Sequence, residues 1–483
     1  MRRIAIAAGA AVVLAVGITA VAHAAAPQLT ATFGQTSTWS TGYGAQYVIR
    51  NTGDAPSTSW RVEFDLPAGS TVSSSWSSVR TVSGQHYTFT NAAYNGDVAP
   101  GASEDFGFNV SGLGTPVNCT VDGRPCAGGG SPSPSPSRSS SASPSASPSP
   151  SASTSAPPAG PVVDVSTAAQ LQGALAAARP GQTIRLAAGT YRGSFVTTAA
   201  GTAAQRITLT GPASAILVND GPSGTAPSCP APTTGWDSGY GLWLYNAPYW
   251  NLTGFTVADS KKGVVADNSH HTTIDGVHVH DVEEEAVHFR RSSADSVIRN
   301  SRIERTGLVQ AGYGEGVYIG SAGSNWGCHG NSGGADRSDR VQVIGNHIGP
   351  GVAAEAIDVK EGTFNGVIRG NTFDGQGISG ANSADSWVDV KGIGYVIEDN
   401  TGTFRSPGTF ANGYETHNPG TTPSFGNGCG SVWRGNRSDL GGAGDYAVNV
   451  TSTSKCSGNP NVVYASNTVT NAVRGLTNIA VTP

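Results

Sequence analysis

VQVIGNHIGPGVAAEAIDVKEGTFNGVIRGN, residues 341–371, contains a Val/Ile-rich strand closing on Gly-Asn, a second strand (AIDVK), and then the first phrase again. The closing phrase recurs as NLTG (251–254), TIDG (273–276), VIRN (297–300), VIGN (343–346), IRGN (368–371), IEDN (397–400), WRGN (433–436) and YASN (464–467). Its intervals are 22, 24, 46, 25, 29, 36 and 31 residues. A period of this size with occasional insertions signals a solenoid that adds one coil per repeat. No helical period separates the strands, which leaves a β-propeller as the rival architecture. The recurring Asn predicts side chains stacked at one corner of successive coils and hydrogen-bonded as a ladder.

Each coil carries a second strand: AVHFR (286–290), GVYIG (316–320), AIDVK (356–360), WVDVK (387–391), GYETH (413–417) and AVNVT (447–451). Alternation sends Val287, Val317, Ile357, Val388, Tyr414 and Val448 inward. The opposite column holds His288, Tyr318, Asp358, Asp389, Glu415 and Asn449. Two residues on run Arg290, Gly320, Lys360, Lys391, His417 and Thr451, and just before the strands stand Glu285, Glu315 and Glu355. The chain has five lysines, all after residue 160, and two of them stack beside two aspartates. One reading is a solvated surface network of Lys–Asp pairs; because a purely structural solenoid would favour Thr, Asn or Val there, the main reading of this face is a candidate groove for a sugar chain. His270, His271, Glu283, Glu284 and Arg337 read as loop surface.

The solenoid occupies residues 161–483. Ser166 is positioned to cap a helix running to about Ala178, which would cover the open end of the first coil. Before it, residues 127–160 are a Ser/Pro/Ala tract that cannot bury enough apolar surface to order itself and serves as a tether. Residues 27–126 alternate apolar and polar positions in short strands such as LTATF (29–33) and AQYVI (45–49), separated by Gly/Asn/Asp/Pro turns, as a β-sandwich requires. Met1-Arg2-Arg3, the apolar run Ile4–Val21 and Ala22-His23-Ala24 read as a secretory signal within residues 1–26. The fold class is therefore all-β, a sandwich followed by a parallel β-helix. With 66 glycines and only 13% charged residues, coiled coils and helical bundles are excluded.

Export fits six cysteines, paired by proximity as Cys119–Cys126, Cys229–Cys328 and Cys429–Cys456. Residues 27–126 carry four Arg against seven acids, and residues 161–483 carry 21 bases against 26 acids. Neither part has the basic footprint of a nucleic-acid binder, and no membrane partner is expected. The chain is expected to act as a secreted, extracellular monomer.

WSTGYGAQYVIRNTGDAPSTSWRVEFDLPAG (39–69), YNGDVAPGASEDFGF (94–108) and CTVDGRPC (119–126) together resemble the family 2 carbohydrate-binding module of cellulases. That resemblance implies Trp39, Trp76 and Tyr94 as a coplanar strip stacking on glucan rings, and Trp60 as the core tryptophan. The implied partner is cellulose or another plant-wall polysaccharide. ARPGQTIRLAAGTYRG (178–193) resembles the first coil of pectin-lyase-like right-handed β-helices. GEGVYIGS (314–321) and EAIDVKEG (355–362) are similar to phrases of polysaccharide lyase family six, which implies Glu355 as a calcium ligand and Lys360 as the base. The family's asparagine ligand falls at Gly312, its additional glutamate at Ala353 and its arginine at Lys391.

Two chemistries suit the groove. The first is β-elimination of a pectate-like uronate glycan, with Ca2+ on Glu285, Glu315 and Glu355 and with Lys360 as base, its pKa lowered by Lys391 or by the metal. The second is glycoside hydrolysis by Asp358 and Asp389, or by Asp358 and Glu415 two coils apart. A non-catalytic, carbohydrate-binding adhesin is the reading from another class.

Overall fold

The computed structural model describes residues 26–126 and 160–483, apart from residues 40–41, 77, 92–95, 97, 99–102, 222–226, 228, 233–235 and 331–333. The expected leader and tether lie outside the described residues, save Ala26 and Gly160. The described residues fall into two units.

In the first unit, Leu29–Trp39, Gly42–Asn51, Ser103–Ser111 and Thr71–Trp76 form one antiparallel sheet, in that order. Ser78–Ser83, His86–Asn91, Arg61–Asp65, Val117–Val121 and Arg124–Pro125 form the other. Alternate residues face inward, so Tyr47, Phe64, Phe89, Phe106 and Phe108 interleave between the sheets. Trp60 is 1% exposed and stacks on Phe106 at 5.2 Å, the core position expected of it. The Cys119–Cys126 disulfide closes the last hairpin.

The second unit is a three-sheet parallel β-helix, with described sheets of 12, 10 and 10 strands. Each strand pairs with its equivalent one coil on, as the repeat requires. Val/Ile-rich positions of all three sheets meet in one continuous apolar core. The cap of the first coil differs by one residue from the expectation. The helix spans Ala168–Ala176, and Thr167 rather than Ser166 is its N-cap. The reason is Gln170: its backbone N–H donates to Thr167 Oγ1 at 3.2 Å, while its own side-chain oxygen accepts from the N–H of Thr167. Such a reciprocal box stabilises the helix start by about 1 kcal/mol. Leu171 and Leu175 then cover the end of the core.

The repeated phrase resolves into two adjacent columns. Gly254, Gly276, Asn300, Gly345, Gly370, Asp399 and Gly435 all turn the corner at positive φ, which is why Gly, Asn or Asp stands there. One residue later come Ser301, Asn346, Asn371, Asn400, Asn436 and Asn467. The last five form the ladder: each of the first four donates its Nδ2 to the next Oδ1 at 2.8–3.0 Å. Asn300 belongs to the corner column, not to the ladder.

Candidate functional site

The six second strands stack in register. Val287, Val317, Ile357, Val388, Tyr414 and Val448 form one inward column, and His288, Tyr318, Asp358, Asp389, Glu415 and Asn449 the outward one. Coils stack at about 4.8 Å, so outward charges on neighbouring coils must pair or repel. They pair as an alternating row. Lys360 Nζ lies 2.6 Å from Asp358, and Lys391 Nζ lies 2.9 Å from the other oxygen of Asp358. Lys391 also hydrogen-bonds Asp389, whose Oδ1 lies 2.8 Å from His417 Nδ1. Glu415 ends the row 3.9 Å from His417 Nε2, held in place by Asn412.

Burial alone pushes the Asp389 carboxyl up, but Lys391 and His417 more than offset this and hold it well below the usual carboxylate range. Burial lowers Lys360 and Lys391, yet their aspartates win and both ammonium groups are held above the ordinary lysine value. The lowered pKa expected for Lys360 is thus not found in the resting chain. Asp358 pairs with it at 2.6 Å, and Glu315 and Asp389 reinforce the effect. Lys360 Nζ also sits 4.9 Å from the ring centroid of Tyr318. Burial, then Asp358 and Glu315, raise the Tyr318 phenol well above its normal value.

The glutamate column has a neighbour that sequence reading passed over. Strand Lys262–Asp267 precedes the first aligned strand by one coil, and its register puts Lys262 in line with Glu285. Lys262 hydrogen-bonds Glu285 and lies 2.8 Å from Glu284. Glu285 is thus ion-paired toward the preceding coil, and it is not one of the acids whose oxygens cluster. Asp358 takes its place: Glu315, Glu355 and Asp358 each offer an oxygen, all within 4.8 Å of one another. All three are buried, and Oε2 of Glu315 has no hydrogen-bond partner among the described residues. Burial and then Asp358 lift the Glu355 carboxyl to about 8, and Glu315 is raised well above the usual range by burial and the neighbouring acids. A buried carboxylate oxygen without a partner, among hard oxygen donors, fits a divalent cation such as calcium.

Beside the row opens a recess of about 420 Å³, lined among others by Ala322, Lys360, Glu361, Lys391, His417 and Pro419. Two inserted loops shape its wall. Gly323 donates its N–H to Glu361 at 2.7 Å, and Trp326, Phe364 and Phe425 pack edge-to-face. Cys229–Cys328 ties this loop to the 229–232 segment, and Cys429–Cys456 anchors the other, as proximity predicted. Of the residues expected on loop surface, Glu284 is paired, His271 stacks on Tyr249 at 4.6 Å, and Arg337 lies over Phe364 at 4.4 Å. Long side chains found partners in adjacent coils that chain order conceals.

Trp39 and Trp76 close strands on opposite edges of one sandwich sheet, but their side chains, and all of Tyr94, lie outside the described residues. His417 and Tyr318 are the groove residues that sequence reasoning placed in columns without a role. Their proximity to Lys391 and Lys360 was the available signal.

An alginate lyase from Paenibacillus sp., known as a crystal structure, is 36% identical, with a TM-score of 0.57; the match covers 67% of this chain and 99% of that one. Residues 29–126 match the family described as "Cellulose binding domain". A cellulose/chitin binding protein of Mycobacterium tuberculosis is 42% identical over 118 residues, 82% of its length. The chain joins a cellulose-binding domain to a member of this alginate lyase's family. The first unit is also 49% identical to part of chitinase C from Streptomyces lividans, of which the chain spans only 17%. The likeness to that chitinase is confined to about 104 residues and carries no statement about its catalytic part.

Proposed function

We propose that the protein is a secreted polysaccharide lyase that cleaves a uronate polymer of the alginate kind by β-elimination, while its first unit holds it on cellulose. The observation that carries this reading is the setting of Lys360 beside the recess, its Nζ 4.9 Å from the Tyr318 ring centroid and paired with Asp358 of the Glu315/Glu355/Asp358 cluster. The relative's named substrate moves the expected uronate from pectate toward alginate. Tethering to cellulose raises local concentration wherever uronate polymer lies beside it, without the binder touching the bond cleaved.

Elimination removes the C–H proton next to the sugar carboxylate, forms a carbon–carbon double bond, and expels the glycosidic oxygen. Lys360 Nζ takes that proton as general base. Its resting ion pair with Asp358 keeps the ammonium protonated, so the amine becomes a base only when the acidic field around it is neutralised. A calcium ion held by Glu315, Glu355 and Asp358 would supply that neutralisation, together with a partner for the sugar carboxylate. Tyr318, kept protonated by burial and by the acids below it, donates the phenolic proton to the departing oxygen. Lys391 bridges Asp358 and Asp389 and fixes the spacing of the row.

Hydrolysis needs one protonated acid and one free carboxylate. Asp358 is ion-paired with Lys360 and Lys391, and Asp389 with Lys391 and His417, so neither is free to serve as an acid–base pair, which disfavours that alternative, and an adhesin has no need of an amine beside a buried acid cluster. The test is incubation of the full chain with polymannuronate, polyguluronate, polygalacturonate and soluble cellulose. Elimination leaves an unsaturated end absorbing in the ultraviolet; reducing ends without that absorbance would replace the lyase by a hydrolase.

A further inference from the structure

Three basic side chains border the recess, and they differ in what they can still bind. Lys360 is paired with Asp358, and Lys391 holds Asp358 and Asp389 together; their side chains are 11% and 17% exposed. His417 is 45% exposed. Its Nδ1 is fixed by Asp389 at 2.8 Å, which orients the ring and directs Nε2 away from that bond. Nε2 is 3.9 Å from Glu415, beyond hydrogen-bonding distance, and Glu415 is already held by Asn412. The other polar side chains of the recess are engaged: Glu361 accepts from Gly323, and Asn418 Nδ2 donates to the Asn427 carbonyl at 2.7 Å.

An imidazole with one nitrogen bound to a carboxylate offers a second N–H only when it is the imidazolium, and the Asp389 hydrogen bond favours that form. The charged groups facing it are Asp389 and Lys391 from the preceding coil, Asp385 just before that strand, and Glu415 on its own strand. Lys455, from the following coil, reaches the Asn418 carbonyl next to it. Lys360 and His417 lie two coils apart, roughly 10 Å along the groove. They therefore face different sugars of a bound chain.

Resting on the lyase reading above, we propose that His417 binds the carboxylate of another sugar of the same bound chain than the one that Lys360 deprotonates, and so makes the groove select a second uronate there. Asp389 is its positioning residue. The acids Asp385 and Glu415 set the limit of that subsite: an anionic sugar placed against them would be repelled, so its carboxylate must point to the recess side, where Nε2 is exposed.

The test uses tetramannuronate and the full chain carrying Lys360→Ala, with His417 intact, as His417→Gln, or as His417→Arg. By calorimetry near pH 6, His417→Gln should weaken binding about tenfold. His417→Arg should restore it to within about threefold, and binding to the intact chain should weaken as pH rises through the imidazolium titration. In the Lys360-containing enzyme, His417→Gln should raise KM with kcat held within about twofold. Equal affinities with and without His417, or a fall in kcat at unchanged KM, overturn the proposal. Failure of the intact chain to produce unsaturated ends from any uronate overturns the lyase reading instead, and the affinity comparison still decides the role of His417.

Discussion

Replacing Lys391 by Met removes the cation that holds two buried carboxylates at once. Asp358 and Asp389 are 2% and 5% exposed, and each has Lys391 as a partner. In the natural chain the folded pKa of Asp389 is depressed, so it contributes stability above its unfolded value of about 3.9 and loses it as pH falls. In Lys391→Met, among the ion pairs of the described residues, Asp389 keeps His417 and Asp358 keeps Lys360. Removing one partner of a buried ion pair costs about 3–5 kcal/mol, the deficit expected near pH 7. Burial then dominates, the carboxyl pKa rises, and the sign reverses: the deficit shrinks in acid, where the stranded groups protonate, by about 1.4 kcal/mol for each unit of upward shift. Denaturant unfolding of the full chain near pH 7 and near pH 4.5, followed by tryptophan fluorescence, measures both. The Lys391→Met, Asp389→Asn double variant should recover much of the loss near neutrality. A deficit under about 1 kcal/mol near pH 7, or one identical at both pH values, would refute the buried alternating row.

Asn400→Ala deletes four side-chain hydrogen bonds, with the Asn371 N–H, Asn371 Nδ2, the Ile368 carbonyl and Asn436 Oδ1, each at 2.9 Å. Stranding the buried Asn371 donors should cost about 3 kcal/mol in unfolding free energy, against under about 0.5 for the exposed neighbour Thr401→Ala. Glu355 has a folded pKa raised to about 8, so without calcium the folded chain should lose stability as pH rises from about 5 toward 8. Glu355→Gln should flatten that slope and abolish the rise in Tm on adding calcium, both read by thermal melts with calcium or chelator.

The sheet that carries the site was legible because a strand alternates with period two and a solenoid repeats. Val287 to Val448 and His288 to Asn449 could be aligned by eye, and the pairing follows those columns. Which carboxylate a cation takes was not legible. Lys262 lies in a strand one coil before the aligned set, so its capture of Glu285, and the substitution of Asp358 into the acid cluster, depend on side-chain reach between coils. The protonation of Lys360 depends on the same reach: column position sets Lys391 one coil on, whereas the side chain of Lys360 pairs with Asp358 at 2.6 Å. The helix cap moved by one residue because Gln170 forms the reciprocal bond with Thr167. The recess itself is built by insertions, 321–330 and 418–428 among the described residues, whose return to the groove depends on Trp326–Phe425 packing and on two disulfides rather than on any local pattern.

The most direct measurement is the ultraviolet absorbance of unsaturated ends released from polymannuronate by the full chain and by its Lys360→Ala variant, with matched melting curves to show that both are folded. The expected result is accumulation by the intact chain and loss of at least about a thousandfold in the variant, the scale of a removed general base. Undiminished release by Lys360→Ala would contradict the assignment of the base and, with it, the chemistry assigned to the groove.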